Sequence, residues 1–158
     1  MKSSLGVERI ISGGQTGVDR AALDFGTERG FKVGGFVPKG RRAEEGTIPA
    51  RYTNLIETET DDPAERTRLN VENSDATLIV SRGPPAGGSA LTLAIAHSSG
   101  KPVIHIDLAD REIAEAAREV RAWLDSRHCR RLNIAGQRAS EDSEIYDLTL
   151  QLLREVFK

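Results

Sequence analysis

The sequence predicts one doubly wound α/β domain over residues 1–158: a mostly parallel sheet with helices on both faces. Three observations carry this. Short apolar runs recur along the chain, most of them too continuous for a strand with one wet face. Amphipathic helical patterns separate them, and alternation of strand and helix implies right-handed βαβ crossovers. Glycine-rich corners follow several of the runs, where a strand must turn into a helix.

The elements follow in chain order. Val7–Ile11 reads as the first strand, and the stretch "SGGQTG" as its corner. Val18, Ala21, Ala22 and Phe25 then stand at i, i+3, i+4 and i+7, one face of a helix. Phe31–Val37 and Asn54–Glu57 read as strands, separated by a long loop from Pro38 to Pro49. In "DDPAE", Asp62 suits the N-cap, Pro63 the first helical position and Glu65 a capping box, opening a helix that runs to about Asn73. Ala76–Val80 is the fourth strand, and Ser89 to Ser99 is a helix rich in Ala and Leu, with Ser89 placed to cap it and Gly100 to stop it. Val103–Ile106 is followed by a helix from near Asp110, whose apolar face includes Ile113, Ala117, Val120 and Leu124. Arg131–Ala135 is the sixth strand, and Ile145, Leu148, Leu152 and Val156 mark the last helix.

Doubly wound sheets bind ligands beyond the carboxyl ends of their strands, so the candidate site lies in the segments that follow each strand. Gly13, Gly14 and Gly17 crowd the first corner. Such residues serve either a tight turn or the close approach of backbone to a ligand. Free amides at the following helix N-terminus favour an anion, with Gln15 and Thr16 adding side-chain hydrogen bonds. Asp19, in the first helical turn, either neutralises the helix dipole or accepts from a ligand hydroxyl or ring N–H. The long loop carries Lys39, Arg41 and Arg42, candidate phosphate-clamping cations beside Glu44 and Glu45. Gly83, Gly87, Gly88 and Ser89 make a second corner ahead of a helix, and "AGQR" brings Gly136, Gln137 and Arg138 to the same edge.

Composition narrows the partners. Twenty-two Lys and Arg against 24 Asp and Glu leave a formal charge of −2, without the basic field of a nucleic-acid binder. No apolar stretch approaches the roughly 20 residues of a membrane span, and "MKSSLGVERI" lacks a secretory apolar core, so the expectation is a cytoplasmic protein with no membrane partner. Cys129 is the single cysteine, which excludes an internal disulfide. His97, His105 and His128 lack paired zinc-ligand spacing, so no metal site is expected and each histidine reads first as a packed or hydrogen-bonded residue.

Taken together, "ISGGQTGVDRAALDF", "GFVPKGRRAEEGTIPARY", "RTRLNVENSDATLIVSRG", "GGSALTLAIA", "GKPVIHIDL" and "LNIAGQRASE" resemble the molybdenum-cofactor carrier family, over most of the chain. That family is part of a wider Rossmann-like group that includes the lysine-decarboxylase-like phosphoribohydrolases. The resemblance implies a bound cargo, the molybdenum cofactor, an anionic phosphorylated pterin. It also implies a homo-oligomer and, as partners, molybdoenzymes or cofactor-biosynthesis proteins. The phosphoribohydrolases resemble Gly-Gly-x-Gly-Thr-x-x-Glu at the second corner, with an arginine on the preceding helix. Here Arg66 stands in the arginine's place, whereas Ala90, Leu91 and Ala94 replace the third glycine, the threonine and the glutamate. Losing that carboxylate removes a group that could activate water, while Arg66 and the amides keep anion binding. The expectation is a carrier that binds without covalent chemistry and has no catalytic residue. Two alternatives stay open: a hydrolase of nucleotides or phosphoribosyl compounds, with Asp19 or Glu44 replacing the lost carboxylate, and a nucleotide-sensing module.

Overall fold

A computed structural model describes residues 5–158. Its main sheet has six parallel strands: β1 (Arg9–Ile11), β2 (Lys32–Val37), β5 (Leu55–Glu57), β6 (Ala76–Ser81), β7 (Val103–Asp107) and β8 (Arg131–Gly136). Four helices connect strands, α1 (Val18–Arg29), α2 (Pro63–Glu72), α3 (Gly87–Ser98) and α4 (Ile113–Asp125), and α5 (Ile145–Val156) follows β8. The predicted Rossmann-like α/β class is the class observed. All six expected strands form, and β6 is buried along its whole length, as its unbroken apolar run requires.

The strand order is β5-β2-β1-β8-β6-β7. From β1 the chain winds outward through β2 to β5, then crosses over to β6 and β7, and returns to insert β8 at the centre. The winding therefore reverses beside β1 and β8, and the crevice beyond their carboxyl ends is the switch point of the sheet.

The two faces differ in chemistry. Leu78, Val80, Leu132 and Ile134 join Val18, Phe25, Ala117, Leu124, Ile145 and Leu152 in one apolar core beneath α1, α4 and α5. Side chains alternate along a strand, so Thr77, Ser81 and Asn133 point to the other face, under α2 and α3. Asn70 and Thr92 descend from those helices and are buried there as well. Phe25, Phe31 and Phe157 close the opposite end of the apolar core, with centroids 5.3 to 6.0 Å apart.

Several boundaries depart from expectation for local reasons. The loop from Pro38 to Pro49 contains a small hairpin of β3 (Arg42–Ala43) and β4 (Gly46–Thr47), pinned by Ile48 and Tyr52 in a second apolar cluster with Leu23 and Val37. Asp62 caps α2 by accepting from the Ala64 amide at 2.9 Å, but Glu65 forms no capping box. Its carboxylate instead accepts from the Thr60 amide and hydroxyl, and Thr60 Oγ1 takes the Asp62 amide. Asp62→Ala is expected to lower stability by about 1 kcal/mol, the usual worth of such a cap, measurable by urea denaturation. Ser89 does not cap α3: Gly87 and Gly88 enter the first turn, Ala86 takes the cap position in extended conformation, and the Ser89 hydroxyl is buried without a partner among the described residues. The fourth helix starts at Ile113, with Glu112 as its cap, rather than near Asp110. Among the described residues no helix is long and apolar enough to cross a membrane.

Candidate functional site

A cleft lies at the switch point, its cavity about 50 Å³ in volume and opening outward to solvent. Its floor is Asn133, Ala135 and Gly136 from β8. One wall is α2 with Arg66, Thr67 and Asn70, and the other is the start of α3 with Gly88 and Thr92. The rim carries Gly13, Gln15 and Asp19 after β1, and Arg138 and Glu141 after β8. Of the residues expected from the sequence, Gly13, Gln15, Asp19, Arg66 and Gly88 line this one cavity. Gly87 sits at its mouth, where an added Cβ would stand 3.8 Å from Glu141 Oε2.

The first corner is built for close approach of protein to protein. At Gly17, φ is +80° and a Cβ would meet Gln137 O at 2.4 Å. Only glycine lets the α1 corner lie on the loop after β8, where the Val18 amide donates to Gln137 O at 3.1 Å. At Gly13, a Cβ would fall 2.6 Å from Arg66 Nη1 and 3.1 Å from Asp19 Oδ2. Arg66 therefore lies flat over this residue and donates to its carbonyl at 2.7 Å.

Most amides of this corner already have partners. Gly14 N–H donates to Ser12 Oγ, Gln15 N–H to Asp19 Oδ2, and Thr16 N–H to Gln15 Oε1. Thr16 Oγ1 donates to Glu44 and accepts from the Ala139 amide, joining the hairpin to the loop after β8. The second corner differs: the Gly87 and Gly88 amides at the start of α3 have no partner among the described residues. These are the donors that a helix N-terminus leaves over.

The basic loop does not gather at the cleft. The Arg41 guanidinium donates to the carbonyls of Ile48, Pro49 and Tyr52 and so holds its own loop together. Lys39 and Arg42 line a separate depression with Gly46, Thr60 and Asp61. The Gly83 amide is taken by Asp107 Oδ1 at 2.7 Å, while Ser81 Oγ donates to the Gly83 carbonyl and contacts His105 Nε2 at 2.6 Å. That network ties the turn after β6 and accounts for His105. Cys129 is buried near Asp75 and Arg131, where β8 begins, with its thiol pushed up to about 12, chiefly by burial.

Charge in the cleft is concentrated on a few groups. Asp19 is 7% exposed, and burial pushes its carboxyl up to about 6 against the opposing pull of Arg66, the Gln15 amide, Arg20 and Arg138. Burial likewise lowers Arg66 from the usual arginine value, Asp19 opposing and Arg138 reinforcing the shift. Arg138 holds its carboxylate neighbours loosely, at 3.9 Å from Glu44 and 3.8 Å from Glu141. For Glu44, burial raises the carboxyl pKa, but the Ser140 and Thr16 hydroxyls and the Ser140 amide outweigh it and hold the group below the ordinary carboxylate range.

Several participants went unread in the sequence: Thr67, Asn70, Thr92, Asn133 and Glu141. Asn70 clamps the backbone of Phe36 with both ends of its amide. Asn133 was detectable as a polar residue inside the apolar run of a central strand, and Thr92 as the hydroxyl in a helix of Leu and Ala. Arg20 was also missed. It is buried, donates from Nε to the Gly14 carbonyl and pairs with both oxygens of Glu45, so it supports the corner from behind. Among the described residues no group of three or more His, Cys, Asp and Glu is placed to hold a metal ion.

Comparison with known proteins bears on the fold and the family. A crystal structure of a protein named "Putative molybdenum carrier protein", from Syntrophus aciditrophicus SB, superposes with a TM-score of 0.94. The two are 49% identical over 97% of this chain and 96% of that one. A search of the curated proteins returned no match. The model of the circularly permutated YpsA SLOG family matches residues 10–157. With all but the ends of the sequence covered, the chain belongs to the circularly permutated YpsA SLOG family.

Proposed function

We propose that the switch-point cleft binds the molybdenum cofactor or a similar phosphorylated anionic small molecule, and that the protein carries or protects this cargo without covalent chemistry. The carrying observation is the convergence of Arg66, Arg138 and Gly88, whose amide has no partner among the described residues, on one cavity, with the similarly unpartnered Gly87 amide at its mouth. A phosphate at the α3 N-terminus meets backbone donors, the positive end of a helix dipole and guanidinium groups together. The donor set fits such a group, and the name of the Syntrophus protein supports molybdenum cofactor as the cargo. Gly13 and Gln15 line the proposed site, while Gly14, Thr16 and Gly17 hold the corner behind it against Ile48, Glu44 and the loop after β8. Lys39, Arg41, Arg42 and Gly83 lie outside the cleft.

Expression in a cofactor-producing host, followed by assay of bound pterin and molybdenum, tests the proposal. Co-purified pterin in molar proportion supports it; protein that emerges empty and fails to protect added cofactor from oxidation refutes it. Arg66→Ala is expected to weaken binding of a phosphorylated ligand by about tenfold or more, the scale of a lost charge-assisted hydrogen bond, measurable by calorimetric titration.

A second reading has its own observation. Glu141 Oε2 lies beside the Gly87 corner and Asp19 across the cleft, so carboxylates from other loops occupy a site whose helix has Ala94 instead of a glutamate. Release of free base from nucleoside monophosphates, lost in Glu141→Gln, would favour a hydrolase, and saturable binding without turnover a sensor. As the setting of the carrier we propose a cytoplasmic homo-oligomer that delivers to molybdoenzymes or receives from cofactor-biosynthesis proteins.

A further inference from the structure

The cleft proposed to hold an anion carries no net formal charge of its own. Arg66 and Arg138 line it, and so do the carboxylates of Asp19 and Glu141. Those carboxylates oppose whatever negative group the guanidiniums and the α3 amides attract, because like charges a few ångströms apart repel. The two differ in freedom. Asp19 is buried and accepts from the Gln15 amide at 3.1 Å. The Glu141 side chain is 34% exposed; its Oε1 accepts from the Arg138 amide at 2.9 Å, while its Oε2 lies toward the Gly87 corner.

The cations differ in the same way. Arg66 is committed to Gly13 O at 2.7 Å and Thr67 Oγ1 at 3.2 Å. The Arg138 guanidinium makes no hydrogen bond among the described residues and stands between two carboxylates, 3.9 Å from Glu44 and 3.8 Å from Glu141. Glu44 has other donors, the Ser140 amide at 3.1 Å and hydroxyl at 2.6 Å, and with the Ala139 amide on Thr16 Oγ1 at 3.0 Å these pin the backbone of the loop. Rearrangement there is therefore left to the side chains of Arg138 and Glu141.

We infer that Glu141 is the resident counter-anion of the cleft: its carboxylate stands at the approach to the α3 N-terminus and holds the Arg138 guanidinium, and the anionic group of an entering ligand displaces it from both. This rests on the anion-binding reading and adds the residue that sets how tightly the cleft holds. A helix N-terminus favours an acidic side chain as it favours an anionic ligand, so the two compete for one place. Glu141 is a positioning residue, acting on the ligand through Arg138. As a ligand leaves, the carboxylate refills the site, which suits a protein that must release what it binds.

Calorimetric titration with inorganic phosphate and with ribose 5-phosphate reads the exchange. Glu141→Gln keeps an oxygen for the Arg138 amide and removes the charge, and is expected to bind both compounds about tenfold or more tightly than the wild type. The direction is diagnostic, since a substitution that merely loosened the loop would weaken binding. Glu144→Gln removes the same charge from the same loop beside Arg82, outside the cleft, and is expected to change affinity by less than about twofold. In an Arg138→Ala background the gain from Glu141→Gln should shrink to about twofold or less. Unchanged or weaker binding by Glu141→Gln, an equal gain from Glu144→Gln, or a full gain without Arg138 would each overturn the inference while leaving anion binding in place. Failure of both compounds to bind the wild type and Glu141→Gln alike would remove the anion reading itself.

Discussion

Asp19→Asn is expected to stabilise the protein at neutral pH by on the order of 3 kcal/mol, an unusual direction for a buried polar substitution. The native carboxyl titrates at about 6 against 3.8 for a free aspartate, and at 1.36 kcal/mol per tenfold change that difference gives the figure. Its sign follows from proton binding. Below pH 4 both states hold the proton and Asp19 adds no pH dependence. Between 4 and 6 the unfolded chain releases it while the native protein keeps it, so wild-type stability falls as pH rises. Above 6 the native carboxylate is charged, buried and short of partners, and the full cost is present. Asparagine removes the charge and keeps an oxygen for the Gln15 amide. Urea unfolding at pH 4, 5, 6 and 7.5 should show the variant drawing level at the acid end and gaining steadily above it. Equal stability of the two proteins at pH 7.5 would contradict this account of Asp19. A carboxylate retained at such a cost is most simply retained for a ligand.

The largest loss is expected from Gly17→Ala. Its Cβ would stand 2.4 Å from Gln137 O and 2.9 Å from Arg138 Cα, both backbone atoms that cannot swing aside, at a φ of +80°. The strained dihedral alone costs about 1 kcal/mol, and the enforced separation of the two loops should raise the total to about 3 kcal/mol or more. Gly30 is a partial control: its φ is nearly the same, +79°, with nothing within 4 Å of an added Cβ, but its ψ of 15° is left-handed helical, whereas the ψ of −125° at Gly17 is a conformation that side chains adopt more rarely still. Gly30→Ala should therefore cost about 1 kcal/mol, the left-handed dihedral alone. Chemical denaturation should show the larger loss at Gly17, and equal losses would contradict both the close approach and the greater strain there. Gly17→Ala should also weaken ligand binding, since Arg138 and Glu141 ride on the displaced loop.

Legibility in the sequence followed the range of the interaction involved. Local patterns predicted the helices well: Pro63 and Asp62 mark the start of α2, and the spacing of Val18, Ala22 and Phe25 marks α1. Capping details failed where two local partners competed. Glu65 had the Asp62 amide within pattern range and took Thr60, and the Gly87 and Gly88 pair joined the helix that Ser89 was expected to begin. The site was half legible. Arg41 and Arg66 are both cations near glycine corners, yet one is spent on three carbonyls of its own loop and the other lies across Gly13 into the cleft.

The sequence by itself determined the alternation of elements, hence a parallel sheet, hence an edge where strand ends and helix starts must lie together, because these depend on periodicities of two and 3.6 residues that the chain carries locally. Tertiary structure alone decided what meets at that edge. The last strand, β8, inserts between β1 and β6, and this long-range pairing brings Asn133, Arg138 and Glu141 opposite Asp19, Arg66 and Gly88. No residue's neighbours along the chain encode that insertion. It is set by the pairing of β8 with both β1 and β6, a property of the assembled sheet rather than of any one segment.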